Sequence, residues 1–270
     1  KTVPRKHAFD TDGRTFREGN FKSWLVARPK NSLTRLKDEE MEHQVNIMCD
    51  VIPAFNGSCK ADEKLQFAEM RDEVFTHHIF TCKQCTGPLM WGRHQAVLHA
   101  IRNTCRFHSV TTHVPRQNEH PLPGNSKGGP DLLLYPIANL RGNTANCVAI
   151  DVACDYVPDP VGQEKYYSRL TKRFDEKRAK YAELVNLTGF QFVPFVVSHW
   201  GVIAAETRKL VDEWKCFAID PGFVFDMYNN VQFALVRAQH QFHFYMRLNN
   251  ERKYLLIVEA MAGRRERDSG

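Results

Sequence analysis

Two aspartates on neighbouring predicted strands are the residues best suited to metal-dependent chemistry. Asp131 follows Pro130 at the start of a short apolar strand, and Asp151 lies mid-strand between Ala149 and Ala153. An ionised aspartate on an apolar strand is costly to bury unless it is paired or binds a metal. Carboxylates on adjacent strands are typical ligands of Mg²⁺, which keeps water ligands for phosphate chemistry. The alternative is structural: Asp131 caps a turn and Asp151 pairs with a basic helix.

A lysine on the following helix could complete such a site. The predicted helix Glu164–Leu187 has an apolar stripe at steps of three and four residues, made of Tyr167, Leu170, Phe174, Lys177, Tyr181 and Leu184. A lysine on this stripe either extends to solvent or directs its ammonium at an anionic group inside. Because the helix follows the Asp151 strand, we predict that Lys177 points at Asp151 and a bound phosphate. Lys180 lies to one side and is predicted to be solvated.

Cysteine and histidine supply a second kind of chemistry. The chain has eight cysteines and twelve histidines, and six of these residues fall between Val45 and Cys85: Cys49, Cys59, His77, His78, Cys82 and Cys85. A segment of this kind can fold by binding a metal, and its uneven spacing favours a zinc site in a reducing compartment. Reduced, buried cysteines without metal remain the alternative. Cys147 and Cys154, on the Asp151 strand, are predicted to be core residues.

The elements that must position these residues alternate between helices and strands. The patterns predict, in order, Trp91–Phe107 (helix), Ser109–Pro115 (strand), Asp131–Tyr135 (strand), Asn146–Tyr156 (strand), Glu164–Leu187 (helix), Gln191–Ser198 (strand), Ala204–Trp214 (helix) and Val231–Leu248 (helix). On the Asn146–Tyr156 strand, the even-numbered residues from 148 form one face and Asp151 lies on the other. This order predicts an α/β or α+β fold, with a sheet flanked by helices.

Composition excludes several classes of protein. With 270 residues, 43% hydrophobic and 25% charged, the chain is expected to be globular rather than disordered or collagen-like. No apolar run reaches the roughly 18 residues of a membrane span, so no membrane association is predicted. The net charge of +6 is compatible with nucleic-acid binding. The chain begins at Lys1 and shows no signal peptide, as expected for a fragment of a longer intracellular protein.

The acidic and basic residues together resemble a nuclease motif. Gly129-Pro130-Asp131, Ile150-Asp151 and Lys177-Arg178-Ala179-Lys180-Tyr181 resemble the PD-(D/E)xK superfamily. That superfamily usually has a lysine two residues after the second acid, where this chain has Ala153. A lysine moved to the next helix resembles the restriction-like endonuclease at the C-terminus of site-specific non-LTR retrotransposons. The resemblance covers about residues 45–215 and implies a restriction-endonuclease-like mixed sheet flanked by helices.

The resemblance also implies a function and a set of roles. Asp131 and Asp151 would bind Mg²⁺ or Mn²⁺, and Lys177 would offset charge on the phosphate. Arg93, His94, Lys127 and Lys180 would lie near nucleic acid, although His94 could instead be a core histidine. The domain would nick one strand of DNA, with RNA as an alternative partner. It would act in the nucleus with a reverse transcriptase domain of the same polyprotein.

A zinc knuckle precedes the nuclease core in that family. The order of the family's ligands favours Cys49, Cys59, His78 and Cys82, with His77 able to replace His78 and Cys85 able to replace Cys82. The competing set joins the C-x₂-C pair Cys82 and Cys85 to His94 and His99, which also has zinc-like spacing. The implied segments are 1–45 (helical linker), 46–90 (zinc knuckle), 91–215 (nuclease core) and 216–270 (helical extension).

Two departures from the family pattern support a different function. Gln95 replaces the usual Asn after Arg93-His94, and Val114 stands before Pro115 where the family often has an acid. A catalytically degenerate domain that binds nucleic acid or serves in assembly is therefore the second hypothesis. A protein-interaction scaffold without a nucleic-acid role is the third.

Overall fold

A computed structural model describes residues 36–42, 59, 66–116, 119, 128–135, 147–155, 163–199, 201–216, 220 and 222–268. Five helices of eight or more residues lie in this part of the chain: α1 (Asp72–Thr81), α2 (Lys83–Phe107), α3 (Gln163–Thr188), α4 (Ala205–Asp212) and α5 (Phe223–Asp268). Its strands are β1 (Thr111–His113), β2 (Leu132–Tyr135), β3 (Val148–Asp155) and β4 (Gln191–Ser198). Short 3₁₀ turns occupy Phe67–Glu69 and Glu213–Cys216.

The four strands form one mixed sheet in the order β1-β2-β3-β4. Neighbouring strands β1 and β2, and β2 and β3, are antiparallel, whereas β3 and β4 are parallel. The parallel pair requires a crossover, which α3 provides. The predicted mixed α/β sheet flanked by helices is confirmed.

Strand β3 separates the two faces of the sheet. Val148, Ile150 and Val152 are fully or almost fully buried in a core with residues of α2 and α5. Ala149 belongs to the opposite face, where it packs with Tyr181 of α3. Asp151 follows on that same face because side chains alternate along a strand. The predicted faces of this strand are confirmed, and the acid therefore faces α3.

Proline in the middle of β4 is tolerated because β4 is an edge strand. Thr207 of α4 donates a hydrogen bond to the Pro194 carbonyl at 2.7 Å and accepts one from the Val196 amide at 3.2 Å. The Ala204 amide donates to the Val196 carbonyl at 3.0 Å. The start of α4 thus covers the outer edge of β4, which would otherwise expose unpaired backbone groups.

Two helices begin earlier than predicted. Helix α2 begins at Lys83 rather than Trp91 and continues through Pro88, although a proline there lacks an amide donor and crowds the carbonyl four residues earlier. Helix α5 begins at Phe223 rather than Val231 and ends at Asp268. Before α5, the Asp220 carboxylate accepts a hydrogen bond from the Gly222 amide at 2.7 Å, a local turn that sets the helix start. Hydrophobic periodicity alone did not predict the first residue of either helix.

The chain forms two compact units. One contains residues from Lys37–Gly92 and Val236–Gly270, and the other contains the sheet within Arg93–Leu235. The segments predicted at 1–45, 46–90, 91–215 and 216–270 stay predictions. Within the described ranges, no helix is long and apolar enough to span a membrane.

Candidate functional site

One cysteine-rich cluster in the first unit has the composition of a zinc site. The ligand atoms of Cys59, His78, Cys82 and Cys85 all lie within 4.8 Å of one another. The Cys59 sulfur is 3.6 Å from that of Cys82 and 3.8 Å from that of Cys85, which is 3.8 Å from His78 Nε2. Tetrahedral zinc with bonds of about 2.3 Å requires sulfur atoms about 3.8 Å apart. The Cys₃His cluster therefore has donors and spacing that could hold a metal such as zinc.

Local backbone structure brings three of these ligands together. His78 lies in the last turn of α1, Cys82 follows that helix, and Cys85 lies in the first turn of α2. The Cys82 amide donates to the His78 carbonyl at 2.8 Å, and the Cys85 amide donates to the Cys82 carbonyl at 3.1 Å. Phe67 packs on the His78 ring at 6.0 Å between centroids. The fourth ligand, Cys59, is buried.

The pKa values of two thiols of the cluster are shifted in opposite directions. Burial raises the pKa of Cys85 to about 12, assisted by hydrogen bonds with Cys59 and Cys82. Burial also raises the pKa of Cys82, but backbone hydrogen bonds from Cys85 and Gln84 outweigh it and the net pKa is lowered. Three thiolates so close together repel one another, so full deprotonation requires a bound cation.

This cluster differs from both predicted ligand sets. Three ligands of the preferred set are brought together, Cys59, His78 and Cys82, and the fourth, Cys49, lies outside the described residues. Cys85 joins Cys82 instead of replacing it. The competing set shares Cys82 and Cys85 with this cluster; of its histidines, His94 contacts Asp131 and His99 is exposed on α2.

In the second unit, hydrogen bonds to the residues on either side of Asp151 bring Asp131 close to it. Asp131 directly precedes β2, whose first residue, Leu132, pairs with Ile150 in the antiparallel β2–β3 ladder. The Asp131 amide donates to the Ile150 carbonyl at 2.8 Å, and Asp131 Oδ2 accepts from the Val152 amide at 2.7 Å. The two acids thus lie side by side with Asp131 fixed by backbone hydrogen bonds.

Helix α3 supplies both partners of the Asp151 carboxylate. The Lys177 ammonium forms an ion pair with Asp151 Oδ2, and the Tyr181 hydroxyl lies 2.6 Å from Asp151 Oδ1. Asp151 is buried, so these contacts offset the cost of removing its charge from water. The structure brings together Asp131, Asp151 and Lys177, the three residues that the sequence singles out for catalysis.

A histidine of α2 contacts the other acid. His94 Nε2 lies 3.0 Å from Asp131 Oδ2. The hydrogen bond with Asp131 raises the pKa of His94, and the charges of Asp131 and Asp151 reinforce it, whereas burial and the Lys177 ammonium oppose it. His94 is partly exposed at this position. It therefore lies beside the acids rather than deep in the hydrophobic core.

The other residues predicted to bind nucleic acid have different environments. Arg93 is only 1% exposed, so its guanidinium is buried instead of facing DNA, because its position on α2 points inward. Its positive charge contributes, after burial, to lowering the pKa of His199. Lys180 is exposed, with its ammonium 5.1 Å from the centre of the Tyr181 ring. Lys127 lies outside the described residues.

The acid pair offers carboxylate oxygens on two neighbouring segments. Asp131 is partly exposed, and its Oδ2 lies 3.0 Å from His94 Nε2 and 2.7 Å from the Val152 amide nitrogen. Carboxylates are the oxygen ligands that divalent cations take in proteins, so these two acids are the residues of the sheet unit that could hold one.

Sequence reasoning missed the role of the Tyr181 hydroxyl. The sequence pattern places Tyr181 only on the apolar stripe. In the structure its hydroxyl lies 2.7 Å from the Gly129 carbonyl oxygen and 2.6 Å from Asp151 Oδ1. The signal was its position four residues after Lys177, which places both on one helix face.

No model of a known protein family matches the chain, and no curated protein sequence matches it.

Proposed function

We propose that this chain is a metal-dependent endonuclease that nicks DNA by hydrolysing one phosphodiester. The observation that carries the proposal is the neighbouring pair Asp131 and Asp151 with the Lys177 ammonium on Asp151. Neighbouring carboxylates beside a largely buried lysine are more than a sheet needs for stability, because such ion pairs contribute little net stability. The same three residues carry the resemblance to the restriction-like endonucleases of non-LTR retrotransposons.

Each residue has a distinct part in the proposed reaction. Asp131 and Asp151 would hold Mg²⁺ or Mn²⁺, which would supply polarisation of the phosphate and a lowered pKa of bound water. The Lys177 ammonium offsets negative charge that develops on the phosphate oxygens as water attacks phosphorus. The His94 contact holds Asp131 Oδ2 in place. The new P–O bond would form as the bond from phosphorus to the 3′ oxygen breaks, which would leave a 5′ phosphate. The attacking water would lose a proton and the 3′ oxygen would take one up from solvent, giving the 3′ hydroxyl that a reverse transcriptase domain of the same polyprotein would extend.

The cysteine cluster has a structural part in this proposal. Zinc held by Cys59, His78, Cys82 and Cys85 fixes the end of α1 and the start of α2, as in a zinc knuckle. A nuclear location follows from the same proposal, because the retrotransposon target would be chromosomal DNA. A restriction-endonuclease-like fold is the architecture that the proposal requires.

Plasmid nicking tests the function. Wild-type protein with Mg²⁺ or Mn²⁺ is expected to convert supercoiled DNA to open circles, whereas Asp131→Asn and Asp151→Asn lose at least about 100-fold in rate. Asp175→Asn is the matched control, because Asp175 is an exposed acid on α3. Both site variants should keep salt-sensitive DNA binding. Undiminished nicking by the two site variants would refute the assignment.

A degenerate, binding-only domain is the second candidate. Val114, which stands where the family often has an acid, is 41% exposed next to β1 and offers no carboxylate. Ala153 stands where the usual lysine would be and is buried on β3. This candidate predicts salt-sensitive binding to DNA or RNA without cleavage in any divalent metal. A metal-dependent nick that Asp151→Asn abolishes would exclude it.

A further inference from the structure

We propose that Tyr181 is a positioning residue that fixes the Asp151 carboxylate relative to the segment carrying Asp131. This inference rests on the proposed function, because it assigns a role at the same site. The Tyr181 hydroxyl lies 2.6 Å from Asp151 Oδ1 and 2.7 Å from the Gly129 carbonyl oxygen. Gly129 precedes Asp131 by two residues, so one phenol oxygen contacts both acid-bearing segments.

The hydroxyl acts as a hydrogen-bond donor to these two oxygens, because a carboxylate oxygen and a carbonyl oxygen both accept. Its single proton serves one acceptor at a time, either the carboxylate or the Gly129 carbonyl. The hydroxyl can therefore stay in place when Asp151 binds a metal cation in addition to Lys177.

Both oxygens of Asp151 are directed by the same helix face. Lys177 contacts Oδ2 and Tyr181 contacts Oδ1, and the two residues are four positions apart on α3. This arrangement leaves the carboxylate a single orientation. A hydrogen bond of this kind, made by a residue that does not itself bind the metal, orients the ligand and tunes its affinity.

The Tyr181 ring is held rigidly enough to impose that orientation. It is fully buried and stacks on Phe192 of β4, with 4.3 Å between centroids and 20° between planes. Phe192 belongs to the strand paired with the one that carries Asp151. The hydroxyl is therefore fixed by a packed aromatic pair rather than by a mobile side chain.

Tyr181→Phe isolates the hydroxyl because it keeps the ring and its stacking. The matched control is Tyr228→Phe, in the same compact unit. The Tyr228 hydroxyl lies 3.2 Å from both the Arg208 carbonyl and Asp212 Oδ1. Both changes remove a phenol oxygen from a carboxylate and a carbonyl, but only Tyr181 lies at the acid pair.

The experiment measures Mn²⁺ binding by electron paramagnetic resonance, on zinc-loaded protein, and nicking at varied Mg²⁺. Tyr181→Phe is expected to weaken Mn²⁺ binding about 10-fold or more, the usual effect of removing such a contact. It should raise the Mg²⁺ needed for half-maximal nicking to a similar degree. Tyr228→Phe should change neither by more than about twofold.

A second variant separates positioning from packing. Phe192→Leu loosens the stacking but leaves the Tyr181 hydroxyl, so its effect on Mn²⁺ binding should be smaller than that of Tyr181→Phe. Equal Mn²⁺ affinity in Tyr181→Phe and wild type, or an equal loss in Phe192→Leu, would overturn the role of Tyr181. Mn²⁺ binding that Asp151→Asn abolishes, without any nicking, would instead count against the endonuclease function.

Discussion

The cysteine cluster and the acid pair are both candidate metal sites, but they satisfy their charges differently. At the cluster, Cys59 contacts Cys82 and Cys85, and Cys85 contacts His78, so a cation is needed to hold several thiolates together. At the acid pair, Asp151 already has Lys177 and Tyr181 as partners. We therefore expect the cluster region to need a bound metal in order to fold, and the acid pair to fold without one.

Zinc removal should have the largest effect and should be confined to the first region. Structural zinc contributes on the order of 10 kcal/mol to folding in small zinc modules, so a chelator is expected to unfold the surrounding backbone. Hydrogen exchange should show lost protection across Asp72–Thr81, whereas the amides of Val148–Asp155 stay protected. Metal analysis should find one zinc per chain.

The matched pair for this test is Cys85→Ser and Cys147→Ser. Both cysteines are free thiols, but only Cys85 belongs to the cluster. Cys85→Ser should lose zinc and helix protection, and Cys147→Ser should keep both. Full protection of α1 in chelator would mean that the cluster folds as a set of reduced thiols.

The second prediction concerns the stability that each acid contributes without metal. Asp151→Ala leaves the largely buried Lys177 ammonium and the Tyr181 hydroxyl without their carboxylate, at a cost of about 3 kcal/mol. Asp131→Ala should cost only about 1 kcal/mol, because both Asp131 and its partner His94 are partly exposed. Urea unfolding of both variants in chelator measures the difference.

Lys177→Met with Asp151→Leu is the control for this prediction. An apolar pair of similar size should recover most of the stability lost in Asp151→Ala, because buried ion pairs are often replaceable by apolar residues. Such a protein would fold but not nick. If Asp131→Ala and Asp151→Ala lowered the free energy of unfolding equally, the two acids would not differ in how much their partners depend on them.

Sequence patterns predicted the sheet well because alternation and strand order are local features. The residues of β3 were assigned to their correct faces, and Asp131 is hydrogen-bonded to the residues on either side of Asp151. Periodicity could not reveal that the Tyr181 hydroxyl reaches Gly129, because this contact joins residues 52 positions apart. The burial of Arg93 was missed for a related reason, since motif order does not tell which way a helix face points.

Ligand choice at the cluster shows the same limit. The C-x₂-C spacing of Cys82 and Cys85 is local and was recognised as suitable for zinc, but one of the two remaining ligands, Cys59, lies 23 positions before Cys82. The histidines of α2, His94 and His99, formed the competing set in the sequence. They differ in the structure because His94 contacts Asp131 and His99 faces solvent.

The smallest predicted effect is a pH dependence that belongs to the sheet unit alone. Burial lowers the pKa of His199 well below its usual value, and the positive charges of Arg93 and Arg169 lower it further. The imidazole is neutral in the folded chain, whereas in the unfolded chain it gains a proton below about pH 6.5. Its contribution to stability is therefore complete above pH 6.5 and is lost as the pH falls, by at most about 1.4 kcal/mol per pH unit.

Urea unfolding between pH 7.5 and 5 measures this pH dependence. The cysteine cluster is a second source of acid sensitivity, because its ligands protonate at low pH, and the variants below separate the two. His199→Gln should reduce the slope of stability against pH in zinc-loaded protein, and it should do so equally in chelator. His99→Gln is the control, because His99 is an exposed histidine. If the acid sensitivity vanished in chelator and was unchanged in His199→Gln, the cluster would be the source of all of it. A slope that follows His199 in both conditions would place the sheet unit's acid response in a buried neutral imidazole, independent of any metal.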